Sequence, residues 1–254
     1  MHTSQFLKTA MTAVDRAERI CLRQYRIRPK VETKSDNTPV TVADRDSESA
    51  MIDIIRTQFP THGFFGEETG DNSGDREFVW IIDPIDGTKN FIAQIPLWGN
   101  LLALMHKGQI VLGVSNVPLM KERVYAEQGR GAFLNGQRIH VSTTRRLAAA
   151  SISYAKSIKR PHDRIDKGLF ELFDRSGRQR GFGDLWPYHL LASGRIDVVV
   201  EVGIKAYDVA PFVCIVSEAG GKTSDIHGNR FDVEAGDFVA TNRILHKSVI
   251  DCFE

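Results

Sequence analysis

Two aspartates sit close together after an unbroken apolar run. Phe78-Val79-Trp80-Ile81-Ile82 reads as a buried strand, and it stops at Asp83-Pro84-Ile85-Asp86-Gly87-Thr88. Two carboxylates are thereby placed at a strand end, on a stiff turn. Pro84 fixes one φ angle, and Gly87 lets a ligand approach the backbone closely. Carboxylates this near to one another repel unless a cation lies between them. A hard divalent ion such as Mg²⁺ suits oxygen ligands and also holds substrate phosphate. A bare pair of aspartates would more simply be a polar turn. Six specified residues directly after a hydrophobic strand favour the metal.

Other acids are less telling alone. Gly66-Glu67-Glu68-Thr69 follows the turn-prone Thr61-His62-Gly63 and reads as a loop, where adjacent glutamates are usually solvated. Asp208 opens a helix that runs to Ala219, and Asp44 stands in Thr41-Val42-Ala43-Asp44. Each is, by itself, an acid favoured at a helix start by the macrodipole. None of the eight histidines falls within the acid-bearing motifs 41–44, 66–69, 83–88 or 207–210, so a phosphohistidine has no support; His189 lies on a predicted helix and reads as structural.

The elements that must carry these residues are legible from periodicity. Leu7, Met11, Val14, Ala17 and Cys21 recur at helical spacing, and Pro29 ends that helix. Lys34-Ser35-Asp36-Asn37-Thr38-Pro39 is turn-rich. A second helix starts between Val42 and Asp44, turns Met51, Ile54 and Ile55 inward, and closes at Pro60. Residues 101–105 and 110–115 read as strands joined by a hairpin at Lys107-Gly108. Residues 124–127 continue that sheet, and Asn135-Gly136 is a tight turn. Further on, residues 151–154 and 198–200 read as strands. Residues 165–173, 188–193 and 209–216 read as helices, the second ending at Gly194 and the third near Gly220-Gly221. This alternation points to layered helices and sheets. One domain over 1–254 is expected, with two lobes, about 1–146 and 147–254, meeting near Thr143 to Ala150.

Composition excludes several classes. Thirty-three Lys and Arg balance 32 Asp and Glu, giving +1, so there is no general pull toward nucleic acid or an anionic membrane. The short Arg178-Gln179-Arg180 cluster reads as a solvated face. Cys21, Cys214 and Cys252 are far apart and form no CxxC pair, which disfavours a disulfide framework or a thiolate zinc site. Neither a signal peptide nor a membrane span is apparent, and a cytoplasmic location is expected.

Taken in order and spacing, Asp44, Gly66-Glu67-Glu68, Trp80-Ile81-Ile82-Asp83-Pro84-Ile85-Asp86-Gly87-Thr88 and Tyr207-Asp208-Val209-Ala210 resemble the signature set of the inositol monophosphatase family. The connecting segments Gly129-Arg130-Gly131-Ala132-Phe133-Leu134-Asn135-Gly136 and Glu218-Ala219-Gly220-Gly221 resemble that family too, so the likeness spans residues 34–241. It implies an α+β fold, a layered αβαβα sandwich of the inositol monophosphatase/fructose bisphosphatase type. It also implies lithium-sensitive, magnesium-dependent phosphomonoesterase activity on a small phosphorylated metabolite, and a homodimer. Carried over by position, Glu67, Asp83 and the Ile85 carbonyl would hold one Mg²⁺. Asp83, Asp86 and Asp208 would hold a second, with a third near Glu67. Thr88 and Asp44 would activate the attacking water, and the amides of Gly87 and Thr88 would face the phosphate. Some family members also contact nucleic-acid-associated machinery; the complete acid set argues against a purely non-catalytic role. One departure is Tyr207, where the family usually has Trp; an aromatic wall is retained.

Three segments resemble the family's histidinol-phosphatase branch more than its inositol branch: Lys34-Ser35-Asp36-Asn37-Thr38-Pro39-Val40-Thr41, Ile95-Pro96-Leu97-Trp98-Gly99-Asn100-Leu101-Leu102-Ala103-Leu104, and Gly183-Asp184. Lys89-Asn90-Phe91-Ile92 sits between the two branches, and nucleotide bisphosphatases also favour Lys after the Asp-Gly-Thr. Histidinol phosphate carries an amine, and Asp86, Asp184, Glu201 and Asp208 are the candidate substrate-binding carboxylates. The alternatives kept open are an inositol, sugar or nucleotide phosphate as substrate, Asp184 as a mere helix cap, and Glu201 as a solvated strand end.

Overall fold

The computed structural model describes residues 4–27, 31–33, 39–156, 163–234 and 236–254. Pro29 and the turn-rich residues 34–38 lie outside them.

The chain begins with helix α1 (Gln5–Ile27), then the short hairpin β1 (Val31–Thr33) and β2 (Pro39–Thr41), then α2 (Val42–Gln58). A first sheet follows from β3 (Gly63–Gly66), β4 (Gly70–Asp71), β5 (Phe78–Asp86), β6 (Gly99–His106), β7 (Gln109–Val117), β8 (Glu122–Glu127), β9 (Ala132–Leu134) and β10 (Gln137–Ile139). Its order is β10-β9-β8-β7-β6-β5-β3-β4, and the one-turn helix α3 (Thr88–Ile92) interrupts it after β5. A second sheet, ordered β12-β11-β13-β15-β14, uses β11 (Ser151–Lys156), β12 (Arg178–Arg180), β13 (Val198–Val202), β14 (Lys222–Ser224) and β15 (Asp237–Thr241). Between these strands run α4 (Asp163–Arg175), α5 (Trp186–Ala192) and α6 (Ala206–Glu218), and α7 (His246–Ile250) follows β15.

Apolar stripes stack these elements into five layers. Leu7, Ala10, Val14 and Ala17 of α1 and Met51 and Ile55 of α2 pack on Trp80, Ile82, Leu102, Leu104 and Val114 of the first sheet. The opposite face of that sheet meets α5 and α6 through Leu101, Val124, Leu190, Phe212 and Ile215, and Val199 and Ala240 of the second sheet enter the same core. Leu169 and Leu172 of α4 and Val249 and Ile250 of α7 cover Ile152, Val198 and Val200 on the far side. The αβαβα sandwich is therefore present. Strand β5 is apolar on both faces because it has a helix layer on each: Trp80 and Ile82 meet α1 and α2, while Ile81 meets Ala210 of α6.

Turn chemistry matches the sequence. Lys107 and Gly108 carry positive φ of 50° and 76°, and Asn135 and Gly136 carry 48° and 84°, the conformation of tight hairpin turns. One expectation is corrected. Gly63 begins strand β3 rather than a turn, since Gly63 to Gly66 pair in parallel with Val79 to Ile82. Arg178-Gln179-Arg180 is an edge strand beside β11, held in register with Ser151 to Ser153, and both arginines are exposed, as a solvated face requires.

Candidate active site

The site gathers at the carboxyl end of β5. Pairing with β6 is regular as far as Asp83 opposite Leu101, is broken by a bulge, and resumes at Asp86 opposite Gly99. Bulges of this kind re-aim side chains. The turn is fixed from beneath: the buried Asn100 amide donates to the Pro84 carbonyl at 2.7 Å. Asp83 is 2% exposed, and its Oδ1 has no hydrogen-bond partner.

Three elements bring other acids to this point. Parallel pairing of β3 with β5 sets Gly66 beside Ile82, and the Glu67 amide donates to the Ile82 carbonyl at 3.1 Å. Glu48 then holds the loop; its carboxylate accepts from the amides of Glu68 at 3.0 Å and Thr69 at 2.8 Å. Any side chain at Gly66 would collide with it, because a Cβ there would lie 2.3 Å from Glu48 Oε1. Helix α6 delivers Asp208 in its first turn, where Oδ2 accepts from the Lys205 amide at 2.8 Å. The helix-start reading of Asp208 thus holds, and the same residue also reaches the cluster: carboxylate oxygens of Asp83, Asp86 and Asp208 lie within 4.8 Å of one another.

The third contributor is α2. Thr41 and Asp44 form a reciprocal cap, with Asp44 Oδ2 accepting from the Thr41 amide at 2.8 Å and from Thr41 Oγ1 at 2.6 Å. Its other oxygen faces Thr88, whose Oγ1 lies 3.4 Å from Asp44 Oδ1 and 3.0 Å from the Ile85 carbonyl. Gly87, at φ 81°, precedes α3 and turns the chain so that Thr88 opens it.

Charge in this cluster is only partly compensated, by Lys89 near Asp184 and Lys205 near Asp208. Burial, then the charges of Glu67, Asp86 and Asp208, pushes the Asp83 carboxyl well above its ordinary range. Asp86 is raised by burial and by Asp184, Asp208 and Glu201. Burial lifts Asp208 to about 6 and, reinforced by Asp208 and Asp184, Glu201 to about 8. Acids that hold protons this tightly, around an orphaned buried oxygen, fit a divalent cation: hard oxygen donors surround a place where positive charge is missing.

A cavity of about 140 Å³ opens beside the cluster and is lined by Asp86, Asp184, Glu201, Asp208, Val202 and Ile204 among others. Glu201 is 6% exposed on β13, so it is no solvated strand end. Asp184 caps nothing: α5 starts after Leu185, without a side-chain cap, and Asp184 Oδ2 instead accepts from Asn90 Nδ2 at 2.5 Å. Tyr207 packs edge-on against Phe65, with ring centres 6.0 Å apart. His189 is fully buried, with Nε2 2.7 Å from Ser115 Oγ and Nδ1 3.6 Å from Glu122 Oε2.

Sequence reasoning missed Glu48, Asn90 and Asn100 as supports. A signal existed for Glu48, which lies four residues after Asp44 on the same helix face. The two asparagines gave none.

Comparison with known proteins agrees with this geometry. A histidinol-phosphatase of Mycobacterium tuberculosis is 35% identical over 250 residues, covering 96% of each chain. The crystal structure of the extragenic suppressor protein suhB from Bartonella henselae superposes with a TM-score of 0.90 at 29% identity, covering 99% of both chains. A Thermotoga maritima IMPase superposes with a TM-score of 0.87 at 30% identity, over 98% of this chain and 97% of the other. The family model that matches residues 2–254 is that of the inositol monophosphatase family, and the chain belongs to that family.

Proposed function

We propose that this protein is a magnesium-dependent phosphomonoesterase whose substrate is histidinol phosphate, a small monoester bearing a cationic amine. The observation that carries the substrate is the cavity wall: Asp86, Asp184, Glu201 and Asp208 line it, and among the described residues no lysine or arginine does. An uncharged polyol would leave buried carboxylates unpaired, whereas an ammonium group pairs with them. The 35% identity to a histidinol-phosphatase over nearly the whole chain supports the same choice.

In this reading Glu67, Asp83, the Ile85 carbonyl, Asp86 and Asp208 would hold the Mg²⁺ ions, two or three per site. Bound divalent ions supply a water of lowered pKa and offset charge on the leaving oxygen. The chain's own residues do the rest. Thr88 Oγ1, between Asp44 Oδ1 and the Ile85 carbonyl, orients the attacking water, and Asp44 Oδ1 takes up its proton through Thr88. The amides of Gly87 and Thr88 donate to the phosphate. Asp184 and Glu201 bind the amine and thereby fix the leaving group in line. By the same family likeness, Li⁺ inhibits turnover and the enzyme works as a cytoplasmic homodimer.

The test is kcat/KM for histidinol phosphate and for inositol phosphate, with Mg²⁺ and with chelator, in the parent, Asp184→Asn and Glu201→Gln. A charge-assisted hydrogen bond is worth ~1.5–3 kcal/mol, so each variant loses roughly ten- to a hundredfold on histidinol phosphate and far less on inositol phosphate. A parent that prefers inositol phosphate, or equal losses on both substrates, overturns the substrate assignment. Activity undiminished by chelator overturns the metal.

A further inference from the structure

Asp184 stands in a conformation that its own sequence does not favour. Gly183 and Asp184 have φ of 80° and 27° in succession, and an L-residue with positive φ persists only where its surroundings hold it. The helix that follows does not hold it, because α5 takes no cap from it. What touches the Asp184 carboxylate is Asn90, from the turn after Thr88. Its Nδ2 donates to Asp184 Oδ2 at 2.5 Å and to the Leu97 carbonyl at 2.8 Å. Both amide hydrogens therefore meet acceptors, which fixes the amide's orientation: flipped, its oxygen would face two oxygens. Gly87 makes room, since a Cβ there would come within 3.1 Å of Asp184 Oδ2 and 3.0 Å of the Leu97 carbonyl.

We infer that Asn90 is the positioning residue for substrate selection, joining the turn that carries Gly87 and Thr88 to the carboxylate of Asp184 and aiming that carboxylate at the cationic group of the leaving alcohol. Asn90 is neutral and orients Asp184 by a hydrogen bond alone; the charge that acts on Asp184 from this turn is that of Lys89 beside it. The inference rests on the proposed reading of Asp184 as an amine ligand and deepens it: selectivity is set across the gap between α3 and the start of α5, not by Asp184 alone.

The experiment measures kcat and KM for histidinol phosphate and inositol phosphate in the parent, Asn90→Ala, Asp184→Asn and the double variant. The readout is the ratio of kcat/KM for the two substrates in one preparation, from which the folded fraction cancels. Asn90→Ala is expected to lower that ratio by about tenfold, chiefly through KM for histidinol phosphate. The double variant should discriminate no worse than Asp184→Asn, because both changes remove the same interaction. A ratio unchanged by Asn90→Ala overturns the inference, as do losses that multiply in the double variant; the parent's preference for the amine then still stands. A parent without that preference overturns the reading and the inference together.

Discussion

Asp83 concentrates the electrostatic problem of the site in one side chain. It is buried, its Oδ1 has no donor, and Glu67, Asp86 and Asp208 all oppose its charge. Its buried charge lacks a partner, and a divalent cation would supply the missing positive charge. Asp83→Asn tests this, because the amide keeps the shape and removes the charge. Turnover with Mg²⁺ should fall by more than about a hundredfold, beyond the loss that a merely supporting residue gives. In chelator the variant should melt above the parent, since like-charge repulsion among neighbouring carboxylates is relieved. Calorimetry in chelator and in Mg²⁺ checks this. A variant that gains as much from Mg²⁺ as the parent does would remove Asp83 from the metal site.

Elements decide whether such residues meet, and α6 shows how tightly. It carries Asp208 and lies across the first sheet at Gly113 of β7, where a Cβ would stand 2.1 Å from the Pro211 carbonyl. Gly113→Ala must push the helix outward. Overpacking of this sort costs about 1–3 kcal/mol. Both the urea midpoint and Mg²⁺ affinity should therefore drop, the second because Asp208 moves from Asp83 and Asp86. A loss of stability with unchanged Mg²⁺ affinity would show that α6 does not set the ligand geometry. Gly113 looked like an ordinary strand glycine in the sequence, and that contrast is general here. Helices α1, α2 and α6 and strands β5 to β8 were legible because their apolar spacing is dictated by what each face buries. Strand β3 was not: Gly63-Phe64-Phe65-Gly66 is short, flanked by glycines and stabilised by a parallel neighbour sixteen residues later in register, Gly63 with Val79. The acids of β5 were legible because a carboxylate pair at a buried strand end has few other uses. Glu48, Asn90 and Asn100 were not, since their partners are backbone groups and side chains brought close only by the folded chain.

At the scale of the whole molecule, the site exists only when the layers are assembled. Asp83 and Asp86 come from the first sheet, Asp208 from the central helices and Glu201 from the second sheet, so anything that loosens the second sheet opens the cavity. The outermost layer of that half is pinned by His246, at the start of α7. Its Nε2 lies 3.0 Å from Ser224 Oγ on β14 and its Nδ1 lies 3.1 Å from Thr241 Oγ1 on β15. Ser224 Oγ also donates to the Asp225 carbonyl at 2.6 Å. Ser224 therefore accepts from the ring, and Thr241 donates to it: a neutral imidazole protonated at Nε2 satisfies both. Protonating Nδ1 would break that pattern in a buried place, and Lys222 and Arg243 are near. Burial, then these two charges, lowers its pKa from 6.5 to about 4. Unfolded histidine titrates near 6.5, so between pH 6.5 and 4 the unfolded chain binds a proton that the folded one refuses. Stability contributed by neutral His246 is thus complete above pH 6.5 and lost as pH falls toward 4, at up to ~1.4 kcal/mol per pH unit. His246→Gln keeps a donor and an acceptor but cannot titrate. Urea unfolding of parent and variant at about pH 7.5 and about pH 4.5 isolates this residue, because the acid cluster contributes equally to both proteins. The parent's advantage should shrink or reverse at the lower pH. An advantage that stays constant would mean that His246 is protonated in the folded protein and that its ring, not its neutrality, secures α7 to the second sheet.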